Sequence, residues 1–318
     1  MTLTDGEPTP PEPDEPTSGS PTGQLSPAGR VSFGAPASQA EPTYTDAALY
    51  RQVPYRPDSV VDSWQAGSFT VRAASVRGDW HRARQVPRQD EMALGYDQDR
   101  GTMMVAVADG VSGAPLSHFG AAAACRYAIE YFLHHPDALH EGSWDDLVQQ
   151  CAWAVVETAQ HLTSRDEPDP AAAAELCATT LCVVYLEAVP TGSRLRAVTI
   201  GDSGVGLAEA GGIVPCLGAR QTAHQRVISN TVVPLPLVPQ ELATWERDLA
   251  WGDTVVIGTD GLWDPIGDGY GTVSAHIAAL LLPQLPNQTE FLRGLDFYKE
   301  TYVDDRTMVA VRITPPPT

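Results

Sequence analysis

The order of apolar segments along the chain is the feature that most constrains its fold. Runs with alternating or β-branched residues predict strands, and they come before, between and after two pairs of helix-like segments. The helix pairs are 115–134 with 144–163 and 273–282 with 289–297. Because paired helices do not make repeated β-α-β units, this order favours antiparallel sheets over a doubly wound parallel sheet. We therefore expect an α+β protein, a four-layer α/β/β/α sandwich with two central, mostly antiparallel sheets flanked by helix pairs.

The strand-like runs are short and bounded by turn residues, as antiparallel sheets require. The predicted strands are 68–76, 91–96, 102–108, 178–187, 194–200, 204–208, 244–248, 254–258 and 307–313. Residues 211–240 are rich in Gly, Pro and polar residues without a clear period, so we predict a flexible excursion there.

Composition divides the 318-residue chain into four parts. Residues 1–44 are Pro-rich and acidic with few large apolar side chains, so we expect a disordered arm that acts as a tether. Residues 45–67 are ambiguous, since they could dock on the domain or remain a loose linker. Residues 68–314 are predicted to form one domain with a large core, and 315–318 a short tail.

The charge balance limits the classes of partner. The formal net charge is -20, which argues against binding to nucleic acid or acidic membranes, because phosphate contacts need Lys and Arg. The sequence contains no run of 18 apolar residues, so we expect no membrane span. The start of the chain does not resemble a secretory signal. The five cysteines form no Cys-x-x-Cys pair and lie in apolar surroundings, which is typical of free thiols in a reducing cytoplasm.

Four short acidic segments adjoin predicted strands. Asp109, Asp202 and Asp260 come just after apolar runs, and the pair Asp304-Asp305 comes just before one. At an effective dielectric of about 20, two like charges about 4 Å apart repel by about 4 kcal/mol, so carboxylates gathered at strand ends need a cation. Carboxylate and carbonyl oxygens suit hard divalent ions, and the pattern therefore predicts a metal site.

A single strand followed by Asp-Gly is more often an ordinary turn than a metal site. Here the pattern occurs twice, as Asp109-Gly110 and Asp260-Gly261. Together with Asp202 and the Asp304-Asp305 pair, the repetition favours a metal site over four unrelated turns.

Six motifs, in this order and spacing, resemble those of the metal-dependent protein phosphatases (the PPM, or protein phosphatase 2C, family). They are Gln89-Asp90, Ala108 to Gly113 (Ala-Asp-Gly-Val-Ser-Gly), Ala178 to Leu181 (Ala-Thr-Thr-Leu), Gly201 to Gly204 (Gly-Asp-Ser-Gly), Thr259 to Asp264 (Thr-Asp-Gly-Leu-Trp-Asp) and Asp304 to Thr307 (Asp-Asp-Arg-Thr). Gly78-x-x-His81 ahead of Gln89-Asp90 is similar to the bacterial branch.

The resemblance implies a role for each matching residue. Asp109 would bridge two Mg²⁺ or Mn²⁺ ions, the carbonyl of Gly110 would bind the second ion, and Asp260 and Asp304 would complete the first. Asp90 would hold water at the ions without binding them directly. Residues 68–314 would be the catalytic domain, with Asp90, Asp109, Asp260 and Asp304 as its catalytic residues.

Two further features follow from the same resemblance. Asp202 and Asp264, with Asp260, match positions at which many members bind a third, weaker ion. The excursion at 211–240 matches the family's flap.

The implied activity is that of a serine/threonine protein phosphatase, which hydrolyses phosphoserine or phosphothreonine with a metal-activated water. We expect a cytoplasmic monomer that acts on phosphoproteins, the targets of a serine/threonine kinase. The absence of Gly-x-Ser-x-Gly and Cys-x5-Arg fits a reaction without a covalent intermediate. The alternatives are a catalytically weak phosphoprotein-binding regulatory module of the same fold and a hydrolase of small phosphate esters.

The chain departs from the family pattern beside the metal ligands. Val111 stands where animal members have a His that protonates the leaving group, and Gln85 stands where an Arg usually grips the phosphate. His81, Arg82, Arg84 and Arg88 could replace that Arg, and we take His81 and Arg84 as the candidate substrate-binding residues. Asp305 stands where Asn is commoner, which leaves Asp304 as the expected ligand.

Overall fold

The computed structural model describes residues 24–25, 30–33, 56–140, 143–218 and 233–316. The strands are β1 Gln24–Leu25, β2 Val31–Phe33, β3 Ser59–Ala66, β4 Phe69–Val76, β5 Glu91–Asp97, β6 Thr102–Ala108, β7 Leu181–Val189, β8 Gly192–Ile200, β9 Gly204–Glu209, β10 Gly212–Leu217, β11 Ala243–Ala250, β12 Thr254–Gly258, β13 Tyr298–Lys299 and β14 Arg306–Ile313. The helices are α1 Asp79–Arg84, α2 Ser117–His134, α3 Pro136–His140, α4 Asp145–Thr163, α5 Pro170–Leu176, α6 Asp260–Ile266, α7 Thr272–Leu281 and α8 Gln288–Leu295.

Two antiparallel sheets form the centre of the molecule. One has six strands in the order β10-β9-β12-β14-β4-β3, and the other has five in the order β11-β8-β7-β6-β5. A small third sheet joins β1, β2 and β13, in which β2 and β13 run parallel.

Strand alternation places each sheet between two apolar layers. In β6, Met103 and Val105 contact the core between the sheets, whereas Met104 and Ala106 pack in the cluster that contains α2 and α4. In β14, Val309 faces the other sheet and Ala310 packs in the cluster formed with α6, α7 and α8. The expected α+β class and four-layer α/β/β/α sandwich are thus confirmed.

Four short helices and several strands, among them β10, were not predicted from the sequence. Helices α1, α3, α5 and α6 span five to seven residues each, too few to show a helical period. Strand β10 lies in the predicted excursion at 211–240, where antiparallel pairing with β9 orders Gly212–Leu217. The excursion as predicted is therefore wrong for these residues, while 219–232 lie outside the described residues.

The N-terminal region also differs from expectation. The prediction of a disordered arm at 1–44 is wrong for Val31–Phe33, which pairs with β13, because Phe33 buries its ring against an apolar cluster. Most of that arm lies outside the described residues. In the ambiguous segment 45–67, Ser59–Ala66 docks as edge strand β3, paired along its length with β4.

The strand directions bring the aspartate segments to one edge of the sandwich. In one sheet, the start of β5 pairs with the end of β6, and the start of β7 with the end of β8. In the other sheet, the end of β12 adjoins the starts of β9 and β14. The segments that follow β6, β8 and β12, and those that precede β5 and β14, therefore meet at the same edge. In the part of the chain described here, no helix is long and apolar enough to cross a membrane.

Candidate active site

A cleft of about 340 Å³ opens at this edge, lined by aspartates from four connections. Asp109 follows β6, Asp202 follows β8, Asp260 follows β12, and Asp304 precedes β14. In the sequence, Asp109 and Asp304 are 195 positions apart. The structure therefore brings together the four acidic segments that the sequence singled out.

Asp109 and Asp260 are the innermost pair of this cleft. Their carboxyl groups lie within hydrogen-bonding reach of each other, and Oδ1 of Asp260 is buried without a hydrogen-bond partner among the described residues. Burial, followed by the charges of Asp90, Asp260 and Asp304, raises the pKa of Asp109 well above its ordinary value. Burial and the charges of Asp202 and Asp304 raise the pKa of Asp260 to about 7.

The loop that carries Asp109 is fixed by its backbone. Asp109 N–H donates to Thr180 Oγ1 at 2.9 Å, and Asp109 C=O accepts from Thr180 N–H at 2.8 Å. Gly110 lies so close to α2 that a Cβ there would be 2.7 Å from Ser117 Oγ. The glycine therefore lets the backbone itself line the cleft, as a carbonyl ligand at this position requires.

Asp304 and Asp305 are adjacent in sequence but occupy different environments. The Asp304 side chain is 44% exposed and lines the cleft, whereas that of Asp305 is 1% exposed. Burial and the neighbouring charge of Asp305 raise the pKa of Asp304. This placement agrees with the choice of Asp304 as the ligand.

Asp305 is an internal anchor. Its carboxylate accepts hydrogen bonds from the backbone N–H of Gly78 at 2.7 Å and of Gln89 at 2.5 Å, and His81 Nδ1 lies 2.7 Å from its Oδ1. Burial opposes the charged form, but the hydrogen bond and charge of His81, with the two amides, bring the pKa of Asp305 below its ordinary value. The carboxylate thereby fastens the segment before β5 to the start of β14.

His81 is misplaced for the role predicted from the sequence. Its side chain is 1% exposed, and burial opposes its charged form, while the hydrogen bond and charge of Asp305 raise its pKa overall. His81, Asp304 and Asp305 do bring ligand-type atoms within 4.8 Å of one another, but Nδ1 of His81 faces the anchoring carboxylate. The prediction that His81 binds substrate is therefore wrong, because its imidazole holds Asp305 inside the protein.

Asp90 lies behind the cleft, 1% exposed. Its Oδ2 accepts from the hydroxyl groups of Thr259 at 2.8 Å and Thr307 at 2.7 Å, while its Oδ1 is buried without a hydrogen-bond partner in the described structure. Burial and the charge of Asp305 raise the pKa of Asp90 to about 8, although both hydroxyl groups favour the charged form. Asp90 therefore adds an uncompensated carboxylate oxygen directly beneath the ligand set.

A second, smaller cleft of about 220 Å³ continues from the first and shares Asp260, Asp304 and Ser112 with it. Trp80, Tyr302 and Asp264 form its other walls. The two candidates for a third ion thus line different clefts, Asp202 the larger and Asp264 the smaller, with Asp260 in both.

Arg84 is exposed and contacts Trp80, which lines the smaller cleft. Its guanidinium carbon lies 4.0 Å from the centre of the Trp80 ring, a cation–π contact that orders the side chain beside the acidic site. Gln85, at the position where the family has its phosphate-binding Arg, ends α1 in the left-handed conformation with a φ of 59°. Arg84 therefore stays a candidate for phosphate binding.

Sequence reasoning missed the hydroxyl groups that hold the aspartates. Thr180 holds Asp109, while Thr259 and Thr307 hold Asp90. All three threonines lie inside the quoted motifs, so the signal was present, but their partners are distant in sequence. Val111 lines the larger cleft, as does Pro234 from the predicted flap at 211–240, of which 219–232 lie outside the described residues.

The residues of the cleft fit hard divalent ions. Asp109, Asp260 and Asp304 present carboxylate oxygens to the cleft, and Oδ1 of Asp90 and Oδ1 of Asp260 are buried without a hydrogen-bond partner among the described residues. Such an oxygen-only set suits Mg²⁺ or Mn²⁺ better than softer metals.

Comparison with known proteins places the chain in a family. The family profile described as "Protein phosphatase 2C" matches residues 77–293, more than half of the chain. No curated protein gives a significant match to the sequence. This chain belongs to the protein phosphatase 2C family.

Solved structures show the same fold at low identity. RsbX in complex with magnesium is 15% identical with a TM-score of 0.51, and the match covers 80% of this chain and 100% of that one. The S. agalactiae serine/threonine phosphatase is 14% identical with a TM-score of 0.51, and the match covers 77% of this chain and 99% of that one. A bacterial serine phosphatase is 12% identical with a TM-score of 0.51, covering 78% and 99%. At these identities the likeness shows the shared fold alone.

Proposed function

We propose that this protein is a metal-dependent serine/threonine protein phosphatase with a binuclear Mg²⁺ or Mn²⁺ centre. The observation that carries the proposal is the convergence of Asp109, Asp260 and Asp304 on one open cleft. No Lys or Arg is among the described residues that line this cleft. A phosphate ester needs positive charge around its oxygens during transfer, and an acidic cleft can supply it only by binding metal ions.

Asp109, the Gly110 carbonyl, Asp260 and Asp304 would hold the two ions, and Asp202 and Asp264 would contribute to a third. When bound, such ions lower the pKa of water and polarise the phosphoryl oxygens. Asp109 and Asp260 contribute rigidity, because Asp109 is fixed by Thr180 and Asp260 begins helix α6.

Asp90 would orient water from beneath the ligands. Two threonine hydroxyl groups fix its Oδ2, and its Oδ1 has no hydrogen-bond partner in the described part of the chain. Its pKa is raised because burial, and then the charges of the neighbouring carboxylates, disfavour its ionised form. Cations in the cleft would reverse this preference and leave Asp90 ionised as a hydrogen-bond acceptor.

Arg84 would bind the phosphate from the rim. Its planar guanidinium is suited to two phosphate oxygens, and Trp80 holds it beside the smaller cleft. Because Val111 cannot donate a proton, leaving-group protonation falls to solvent in this open cleft. The predicted substrates are phosphoproteins, the targets of a serine/threonine kinase, and the expected solution state is a monomer.

Hydrolysis of a phosphothreonine peptide and of para-nitrophenyl phosphate tests the proposal. The purified chain should act on both with Mn²⁺ and on neither after chelation. Asp109→Asn should remove the activity, and Asp99→Asn provides a matched control, since Asp99 lies exposed in the β5–β6 turn at the opposite edge of the sheet.

The outcomes separate the alternatives. A chain that leaves both substrates untouched with Mn²⁺, yet binds a phosphopeptide, would be the regulatory module. A chain that hydrolyses metabolite esters much faster than phosphopeptides would be a small-ester hydrolase. Loss of activity in Asp99→Asn as large as that in Asp109→Asn would contradict the site assignment.

A further inference from the structure

A short N-terminal segment, Arg30–Phe33, is bound to the domain next to the site. Val31–Phe33 forms a parallel pair with β13, with Ser32 opposite Tyr298 and Phe33 opposite Lys299. Phe33 is 9% exposed, and its ring packs edge-on against Phe297 at 5.7 Å. Five residues after Lys299 the chain reaches Asp304, so this segment is attached close to the base of a candidate metal ligand.

Arg30 joins two elements below the cleft. Its Nη1 donates to both carboxylate oxygens of Asp79, at 2.9 and 3.0 Å, and its Nε lies 3.0 Å from Asp296 Oδ1. Its guanidinium also donates to the backbone carbonyls of Asp296 at 3.3 Å and Phe297 at 3.4 Å. The Arg30 side chain is 13% exposed, so these ion pairs are partly shielded from solvent.

Asp79 lies in the segment that holds the Asp304 loop. Its neighbour Trp80 donates its backbone N–H to the Val303 carbonyl at 3.0 Å, and Gly78 N–H donates to Asp305 Oδ1 at 2.7 Å. Gly78 packs so closely on the loop that a Cβ there would be 2.2 Å from the carbonyl carbon of Asp304. Displacing residues 78–80 would therefore displace Asp304.

We propose that Arg30 is a positioning residue for Asp304, acting through Asp79 and the start of α1. Arg30 touches neither substrate nor metal; it fixes the segment against which the ligand's backbone rests. The N-terminal segment is thereby coupled to metal affinity. This inference rests on the proposed role of Asp304 as a metal ligand.

A purely structural anchor would lower the stability of the fold without changing the site. The two roles differ in the dissociation constant for Mn²⁺, which electron paramagnetic resonance of free Mn²⁺ measures without substrate. The variants are Arg30→Ala, Arg30→Lys and Asp79→Asn in the full chain, and their metal-free melting temperatures are measured alongside. Arg194→Ala is the matched control, because Arg194 pairs with Asp248 at 3.2 Å near the start of β8, away from the active edge.

Removing partners that orient metal ligands typically weakens metal binding by about 10- to 100-fold, and Arg30 acts one contact further away, so we expect Arg30→Ala to raise the Mn²⁺ dissociation constant by about three- to tenfold. Arg30→Lys should recover part of this loss, because it keeps one ion pair with Asp79. The double variant Arg30→Ala/Asp79→Asn should bind Mn²⁺ no more weakly than the single variant with the lower affinity. The reason is that Arg30 acts on Asp304 through Asp79, so the two losses should not add.

Wild-type affinity in Arg30→Ala and Asp79→Asn, with weak binding in Asp304→Asn, would overturn the proposal. So would additive losses in the double variant. If Arg30→Ala is too unstable to assay, Arg30→Lys and Asp79→Asn decide the question by the same measurement. Mn²⁺ binding without hydrolysis would refute the proposed function alone, whereas hydrolysis with unchanged metal affinity in these variants would refute only the role of Arg30.

Discussion

Two acidic regions lie side by side at the same edge of the sandwich, and they differ in how their charge is balanced. In the cleft cluster, Asp109, Asp260 and Asp304, burial and like charges raise the pKa of every member. In the buried anchor, Asp305 has His81 and two backbone amides as partners, and its pKa is lowered. An aspartate with internal partners stabilises the fold, whereas the aspartates without them are those that we propose bind an external cation.

The largest effect should come from the cleft cluster. Loss of a group that only orients a metal ligand typically lowers metal affinity or activity by up to about 100-fold. Asp109→Asn changes a proposed ligand itself, so we expect it to lower kcat/KM by more than this. The same change should raise the melting temperature of the metal-free protein, because it removes a disfavoured charge. Steady-state kinetics with Mn²⁺ and calorimetry in chelator measure the two effects, and a lower metal-free melting temperature would contradict the comparison.

The opposite pattern is expected for the buried anchor. Asp305→Asn should lower the free energy of unfolding by about 1–3 kcal/mol, because hydrogen bonds to a charged group contribute about that much. Asp304→Asn should cost little stability but most of the Mn²⁺ affinity. Urea unfolding and Mn²⁺ titration of the pair provide the check. Equal effects of the two substitutions on both quantities would show that the neighbours are not functionally distinct.

The pH dependence of stability should follow Asp260 of the cleft cluster and Asp90 behind the cleft. The folded-state pKa values of Asp90, about 8, and Asp260, about 7, exceed the ordinary value, so the folded state binds more protons than the unfolded state between pH 6.5 and 8.5. Stability of the metal-free protein should therefore fall as pH rises through this window. The buried His118, whose pKa is lowered to about 4, reduces stability only below pH 6.5, whereas the raised pKa of His81 adds to the fall in this window.

Thermal melts in the presence of a chelator at pH 6.5 and at pH 8.5 test this dependence. Saturating Mn²⁺ should flatten it, since the bound cation favours the ionised carboxylates. A metal-free protein that is more stable at pH 8.5 than at pH 6.5 would show that the cluster is balanced by some other group.

The smallest effect is expected when the exposed Arg84 is compared with the buried His81. Arg84→Ala should raise KM for a phosphopeptide by about five- to tenfold, within the range of one lost charge-assisted hydrogen bond at an exposed site, and leave the melting temperature unchanged. His81→Gln should lower the melting temperature, because it removes a partner of Asp305. An unchanged KM in Arg84→Ala would assign phosphate binding to another residue.

The sequence predicted most long elements and the layered architecture, because strand alternation and helical length are local properties. It missed α1, α3, α5 and α6, which are too short for a period, and β10, whose order depends on pairing with β9. It also missed the packing of Phe33, since the favourable contact is with residues more than 240 positions away.

The same division holds for the site. The aspartates of the motifs could be identified from residue type, order and spacing, and the choice of Asp304 over Asp305 followed from the family pattern. The role of His81 could not be predicted, because a histidine near a motif is equally compatible with the cleft wall and with the interior. Its burial and the 2.7 Å approach of its Nδ1 to Asp305 assign it to the interior.

By itself, the sequence determined the fold class, the family and which carboxylates could gather, because these depend on local pattern and motif order. The tertiary structure decided which carboxylates are balanced from within and which face an open cleft, and it placed Arg30 beneath the Asp304 loop. These outcomes depend on burial and on partners distant in sequence. A carboxylate acquires its function from its surroundings, and those surroundings exist only in the folded chain.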